Sequence, residues 1–315
     1  MDILNTIKGS YFSKILPDGW DIRKIRECIG VPSTILEPQP FWHKSFRPVP
    51  CHGLDEFAVL MGHEIATQIK MTKDEGRKLI LILPVGPMGM YKWLVFFLKE
   101  WNVDCKHVYG FNMDEWSDED GNTLPASDPA SFQNAMLNAF YGPLGELTVP
   151  ETQRNFATKD DLPEYYNRIQ TLKALGAKQV LVFGIGRMCH IAFWEPHFAS
   201  DYLSETDWLA AKYRLGADLH PLTIEQNAIT SFKSNWSMIP CYANTIGPGI
   251  IFASDYVIGG ADGVLSRGMQ WQGMSLWITL RYGPDMAFTS SYIPTMEGKL
   301  FFMSELAGPL CSDTN

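Results

Sequence analysis

His190 and Glu195 lie in one loop of the stretch Val180 to Pro196, VLVFGIGRMCHIAFWEP. A histidine and a carboxylate placed just beyond a strand are candidates for moving protons. A second stretch, Lys106 to Trp116, KHVYGFNMDEW, carries two further acids, Asp114 and Glu115. Each set must be held by an element. Val180 to Phe183 is a short β-branched and aromatic run that reads as a buried strand ending at Gly184. Gly184 and Gly186 allow a sharp turn or a close approach to a ligand, and Pro196 closes the loop. Lys106 to Trp116 is again a strand followed by a turn. In an open α/β sheet, ligands bind beyond the carboxyl ends of strands, where Asp114, His190 and Glu195 would then lie. Taken alone, His190 would most simply be a hydrogen-bonded structural residue. Asp114 at a second strand end favours proton transfer over a structural histidine or a turn aspartate.

The composition bounds the class of protein. With 315 residues, 46% hydrophobic and 19% charged, the chain suits a folded globular protein with a substantial core. A formal net charge of −9, with no compensating Lys/Arg cluster, argues against nucleic acid as a partner. No apolar run approaches the ~20 residues of a membrane helix, and Met1 to Asp21 lacks a signal-peptide pattern. The six cysteines (Cys28, Cys51, Cys105, Cys189, Cys241, Cys311) form no C-x-x-C pair. Reduced thiols in a cytoplasmic protein, and no zinc site, are the expectation. Cys189 is read as a buried inert thiol in preference to a nucleophile.

Met1 to Pro50 is dense in Trp, Phe and Pro. Aromatics at that density require burial, so residues 1–52 are expected to form an irregular arm. It would pack on the main domain, or on a neighbouring subunit if the protein is a homo-oligomer. His43 and His52 within it are taken as structural. From Leu54 the pattern is regular. Phe57, Leu60, Met61, Ile65 and Ile69 recur at helical spacing. Leu79 to Leu83 is a strand buried on both faces, followed by a helix over Tyr91 to Trp101 and a strand over His107 to Phe111. Asp128-Pro129 is read as a helix start, with Phe132, Met136 and Phe140 on the apolar face. A helix over Asp161 to Leu175 feeds the Val180 strand, and Ser204 to Asp207 caps a helix running through Tyr213. Strands are expected over Gly249 to Ile258, Leu276 to Arg281 and Met286 to Ser290, with a helix between the first two. The alternation predicts one α/β domain over residues 53–315, a doubly wound and mostly parallel sheet flanked by helices.

FNMDEW (Phe111 to Trp116), GIGRMCHIAFWEP (Gly184 to Pro196) and the strand–loop–helix LILILPVGPMGMYKWLVFFL (Leu79 to Leu98) together resemble the glucosamine-6-phosphate isomerase/deaminase family. The likeness runs over roughly residues 54 to 305. It implies a Rossmann-like domain without a cofactor or metal, acting on a small sugar or sugar phosphate. Asp114 would be the base at carbon, His190 the ring-opening group, and Glu195 its orienting carboxylate. Gly86, Met88, Gly89, Glu115, Gly184, Gly186 and Arg187 would contact substrate.

The departures from the family pattern fall in the same places. Met188 stands where the family has an acid, Cys189 where it has a glycine, and Arg187 where it has a small amide. The phosphate loop reads Pro84-Val85-Gly86-Pro87-Met88-Gly89; Pro87 has no N–H to offer and Met88 no hydroxyl. The family's two phosphate-gripping cations should fall near Ile229 and Gly263, and neither position is basic. Each lost charge-assisted bond is worth about 1.5–3 kcal/mol, so weak phosphate binding is expected. Arg187 or Arg214 could supply a relocated cation. Besides the isomerase or deaminase, two alternatives stay open: a sugar-binding or regulatory protein that has lost its chemistry, and a lactone hydrolase.

Overall fold

Leu79 to Leu83 is apolar at every position and forms a strand buried at every position, as a central strand covered on both faces requires. The computed structural model around it describes residues 6–265 and 269–308. Cys311 and residues 1–5 of the expected arm lie outside the described residues. The strands are β1 (Phe46–Cys51), β2 (Leu79–Leu83), β3 (Val108–Asn112), β4 (Asp114–Ser117), β5 (Arg154–Asn155), β6 (Lys178–Gly184), β7 (Tyr213–Asp218), β8 (Tyr242–Ile246), β9 (Tyr256–Ala261) and β10 (Gly298–Met303). The α-helices are α1 (Ile22–Cys28), α2 (Leu54–Asp74), α3 (Gly89–Glu100), α4 (Phe132–Met136), α5 (Gly142–Leu144), α6 (Tyr165–Ala174), α7 (Glu205–Ala210), α8 (Pro221–Ser231), α9 (Pro248–Ile251) and α10 (Gly273–Arg281).

Seven strands pair in the order β1-β10-β9-β6-β2-β3-β5, every pairing parallel. The carboxyl ends of β3, β2, β6 and β9 therefore share one rim. A second sheet of β4, β8 and β7 is antiparallel and stands beside that rim. Helix α2 buries Phe57, Met61, Ile65 and Ile69, and they join β2, β6, β9 and β10 in the main core.

Several elements differ from the reading of the sequence, each for a physical reason. The end of the supposed arm, Phe46–Cys51, is the edge strand β1, paired in register with β10. Its prolines Pro48 and Pro50 can sit there because an edge strand has spare positions without a ladder bond. Gly249 to Ile258 is not one strand. Pro248 starts the short helix α9, and only Tyr256–Ala261 is extended. Leu276 to Arg281 is helix α10, taking the place of both the expected strand and the helix ahead of it. Leu276, Trp277, Ile278, Thr279 and Leu280 are all buried, which removes the one-sided pattern that marks a helix. Met286 to Ser290 is turn and 3-10 structure, and the strand after it, β10, went unread. The helix capped by Ser204 stops at Ala210, and Tyr213 opens β7. Ser131, not Asp128, caps α4 through its hydroxyl.

Candidate active site

The turn after β6 is built around His190. The Gly186 N–H donates to the His190 carbonyl at 3.0 Å, and the Cys189 N–H to the Gly186 carbonyl at 2.9 Å. Two non-glycine residues of this loop, Cys189 (φ 59°) and Ala192 (φ 53°), occupy the left-handed region. Such conformations cost of order 1–3 kcal/mol each and gather where a structure over-determines its geometry. A Cβ on Gly186 would fall 1.9 Å from His190 Nε2, so the imidazole packs directly on the glycine backbone.

His190 Nδ1 lies 3.2 Å from Glu195 Oε2 and 3.3 Å from the Thr223 hydroxyl. Glu195 Oε1 accepts from the His220 backbone N–H at 3.3 Å. Burial pushes the Glu195 carboxyl upward, but His190, the Thr223 hydroxyl and His220 outweigh it and hold the group below its ordinary 4.5. An ionised carboxylate can only accept, so Nδ1 is the donor of this bond and Nε2 is the ring nitrogen that faces Gly186. Glu195 is 0% exposed and His190 5%.

Asp114 opens β4, one residue beyond the Met113 that follows β3. It is 7% exposed, and burial with the adjacent Glu115 charge raises its carboxyl well above 3.8. The strand ends carrying Asp114 and His190 are separated by β2 alone, two strand spacings or roughly 10 Å. A bridge joins the two blocks directly. Thr245, the β8 partner of Asp114, accepts the Phe193 N–H on its hydroxyl at 3.0 Å. The Phe193 ring in turn lies 4.8 Å from Trp116 and 6.0 Å from His190.

The other expected contacts divide. The Gly86 loop meets the β6 turn, since a Cβ on Gly184 would be 3.1 Å from the Gly86 carbonyl oxygen. Met88, partly exposed, precedes Gly89, the first residue of α3, and offers no side-chain cap to the helix. Arg187 is pinned through its backbone, N–H to Gln226 Oε1 at 2.7 Å and carbonyl to the Ser275 hydroxyl at 2.8 Å. Among the described residues no ion pair holds its guanidinium. Arg214 is different: it pairs with Asp201 at 2.6 Å and lies over Phe198 at 4.0 Å, so it is spent on the surface.

Glu115 requires a correction. Its carboxylate accepts from the Ser131 hydroxyl and from the Phe132, Gln133 and Trp116 N–H groups, between 2.8 and 3.0 Å. It caps the first turn of α4 and has its bonding capacity filled there, which replaces the expected substrate contact. Cys189 is buried, and burial pushes its thiol up to about 12, so it stays protonated.

Thr223, His220 and Thr245 were missed in the sequence, although His220-Pro221 is a recognisable helix start with proline at the first position. Asp262 was missed as well. It follows β9 on the same rim, and burial raises its carboxyl to about 6. The Gly263 N–H is taken by Gln272 Oε1 at 2.8 Å. Among the described residues no group of three or more His, Cys, Asp or Glu could hold a metal ion, and no helix is long and apolar enough to cross a membrane.

No protein-family model matches the chain. A glucosamine-6-phosphate deaminase of Pasteurella multocida (strain Pm70) is 28% identical over 218 residues, 67% of this chain and 74% of the relative. One of Caenorhabditis elegans is 29% identical over 197 residues, 61% and 67% of the two chains. Among solved structures, a monomeric glucosamine-6-phosphate deaminase of the NagB superfamily superposes with a TM-score of 0.66 at 21% identity. That match covers 82% of this chain and 98% of the other. The 6-phosphogluconolactonase of Trypanosoma cruzi gives 0.57 at 16% identity, over 88% and 98%. The fold is the one these proteins share.

Proposed function

We propose that this chain, a relative of the glucosamine-6-phosphate deaminases, is an enzyme that moves a proton between adjacent carbons of a sugar or amino sugar. Asp114 acts as the base. Its carboxylate takes the proton from C2 of the open-chain sugar and returns it to C1, while the electron pair passes through an enediol or enolamine. With an amino sugar, the C2 imine that results is hydrolysed to the ketose and ammonia. His190 Nε2 takes the proton from the C1 hydroxyl and delivers it to the ring oxygen as the bond between that oxygen and C1 breaks, which opens the sugar, and Glu195 holds the imidazole for that task. Gly86, Met88, Gly89, Gly184, Gly186 and Arg187 line the path of the substrate between the two blocks.

The observation that carries this reading is the buried His190–Glu195 pair, on the same rim as a buried Asp114. The raised Asp114 carboxyl supports it, because a base nearer the working pH accepts a carbon-bound proton more readily than an ordinary aspartate.

The substrate we assign is not the usual 6-phosphate. Pro87, Met88, Ile229 and Gly263 lack the donors and cations a divalent anion needs, and Arg187 is the relocated cation for any anionic group. A second reading, a sugar-binding protein without chemistry, is favoured by Met188, an apolar side chain 1% exposed where the resemblance places an acid. One experiment separates them: ammonia release and ketose formation across amino and neutral sugars, with and without phosphate, together with C2 proton exchange. Turnover with loss of exchange in Asp114→Asn is the expected result. Silence across the panel favours the binding protein, and unchanged exchange in the variant removes Asp114 from its role.

A further inference from the structure

The N-terminal segment reaches the surroundings of the His190–Glu195 pair in two places, beside the His190 loop and at the cap of α8. On one side, the Trp20 indole N–H donates to the Ala287 carbonyl at 3.1 Å, and its ring stacks on Phe288 at 4.8 Å. Ile25 and Cys28 of α1 are buried in one apolar cluster with Phe288 and Cys189, the residue next to His190. On the other side, the Ile15 carbonyl lies 2.5 Å from His220 Nε2.

His220 links that contact to both members of the pair. Its Nδ1 accepts from the Leu222 N–H at 3.1 Å, so the ring proton sits on Nε2 and is donated to Ile15. The His220 backbone N–H donates to Glu195 Oε1. Its carbonyl accepts from the Thr223 N–H at 2.8 Å, and the Thr223 hydroxyl faces His190 Nδ1. Beside the His220 ring lies a cavity of about 340 Å³, lined in part by Lys14, Asp18, His197 and Asp218. The ring is itself buried, and its two hydrogen bonds fix which way its two nitrogens face.

We propose that His220 is a positioning residue for the His190–Glu195 pair, and that the Ile15 carbonyl of the N-terminal segment fixes its orientation. That segment is then a working part of the site. Burial lowers the His220 imidazole from its ordinary 6.5 against the opposing pull of the Ile15 bond, in keeping with a neutral ring of defined tautomer. The catalytic half of the inference rests on the proposed proton transfer; the structural half does not.

The test uses the full chain labelled with ¹⁵N-histidine, in which two-bond proton–nitrogen correlations report the tautomer of His190. Trp20→Ala removes the segment's anchor on Ala287 and Phe288 and leaves His190, Glu195 and His220 themselves unchanged. His220→Asn keeps a side-chain acceptor for the Leu222 N–H but is too short to reach Ile15. Both variants are expected to turn a single Nδ1–H tautomer at His190 into an averaged mixture. Both should slow C2 exchange about tenfold at unchanged KM, the usual size of an outer-contact effect. Trp20→Phe, which keeps the stack on Phe288, should restore the wild-type signal. An unaltered His190 tautomer in His220→Asn would reduce His220 to a helix cap, and in Trp20→Ala would remove the N-terminal segment; either result overturns the proposal. If the tautomer changes as expected but no sugar undergoes exchange in the wild type, the positioning stands and the proton-transfer reading fails.

Discussion

At Asp114, burial and the Glu115 charge act in the same direction, so the carboxyl is protonated more readily in the folded chain than at its ordinary 3.8. The folded state then binds more protons than the unfolded one. Stability is fullest below the unfolded value and is lost as pH rises through the raised folded value. Asp114→Asn removes that penalty, and thermal melts at pH 7 should show the variant several degrees more stable while C2 exchange disappears. The same ionisation sets the acid limb of activity. Turnover should rise with pH at a midpoint above that of an exposed aspartate, read from a kcat/KM profile.

Gly186 is the second residue whose role can be isolated. Its φ is not in the left-handed region, so alanine is acceptable to the backbone; the obstacle is His190 Nε2, 1.9 Å from the added methyl. Gly186→Ala should force the imidazole to shift, cost about 1–3 kcal/mol of stability as an overpacked buried site does, and lose about 100-fold in kcat/KM, the effect of a displacement near 1 Å in a reacting group. A wild-type rate would mean that Nε2 is not the working nitrogen.

At the scale of elements, short helices act as braces for the site. Helix α4 runs for only five residues, and Glu115 with the Ser131 hydroxyl satisfies its first turn. Glu115→Ala should cost about 1–2 kcal/mol in denaturant unfolding, the size of a lost cap. The sequence placed Glu115 at the site because of its neighbour, and no spacing rule links it to a helix beginning at Phe132. Helix α8 is the parallel case, with His220 at its cap and Thr223 turned toward His190. Helix α10 and strand β10 were misread or missed because burial on every side leaves apolar runs whose period cannot separate helix from strand.

Across the whole molecule, the formal charge is −9, and neither Ile229 nor Gly263 offers a basic side chain to an anion. Asp262, raised to about 6, adds negative charge to the same rim as pH rises through about 6. Calorimetric titration should therefore find glucosamine-6-phosphate bound no better than neutral sugars of the same ring. Micromolar affinity would overturn the assignment of an unphosphorylated substrate.

The sequence by itself determined the α/β class, the central strands β2 and β6, and the two blocks that hold Asp114, His190 and Glu195. Those features are local: an apolar run, a glycine turn and a motif are each contained in a few consecutive residues. Tertiary structure decided the rest. Parallel pairing in the order β3, β2, β6 brings two distant blocks to one rim, and Thr245 of β8 joins them by a hydrogen bond to the loop that follows β6. It also sent Glu115 to a helix end and set Ile15 against His220, contacts between residues 16 to 205 positions apart that no short-range pattern encodes.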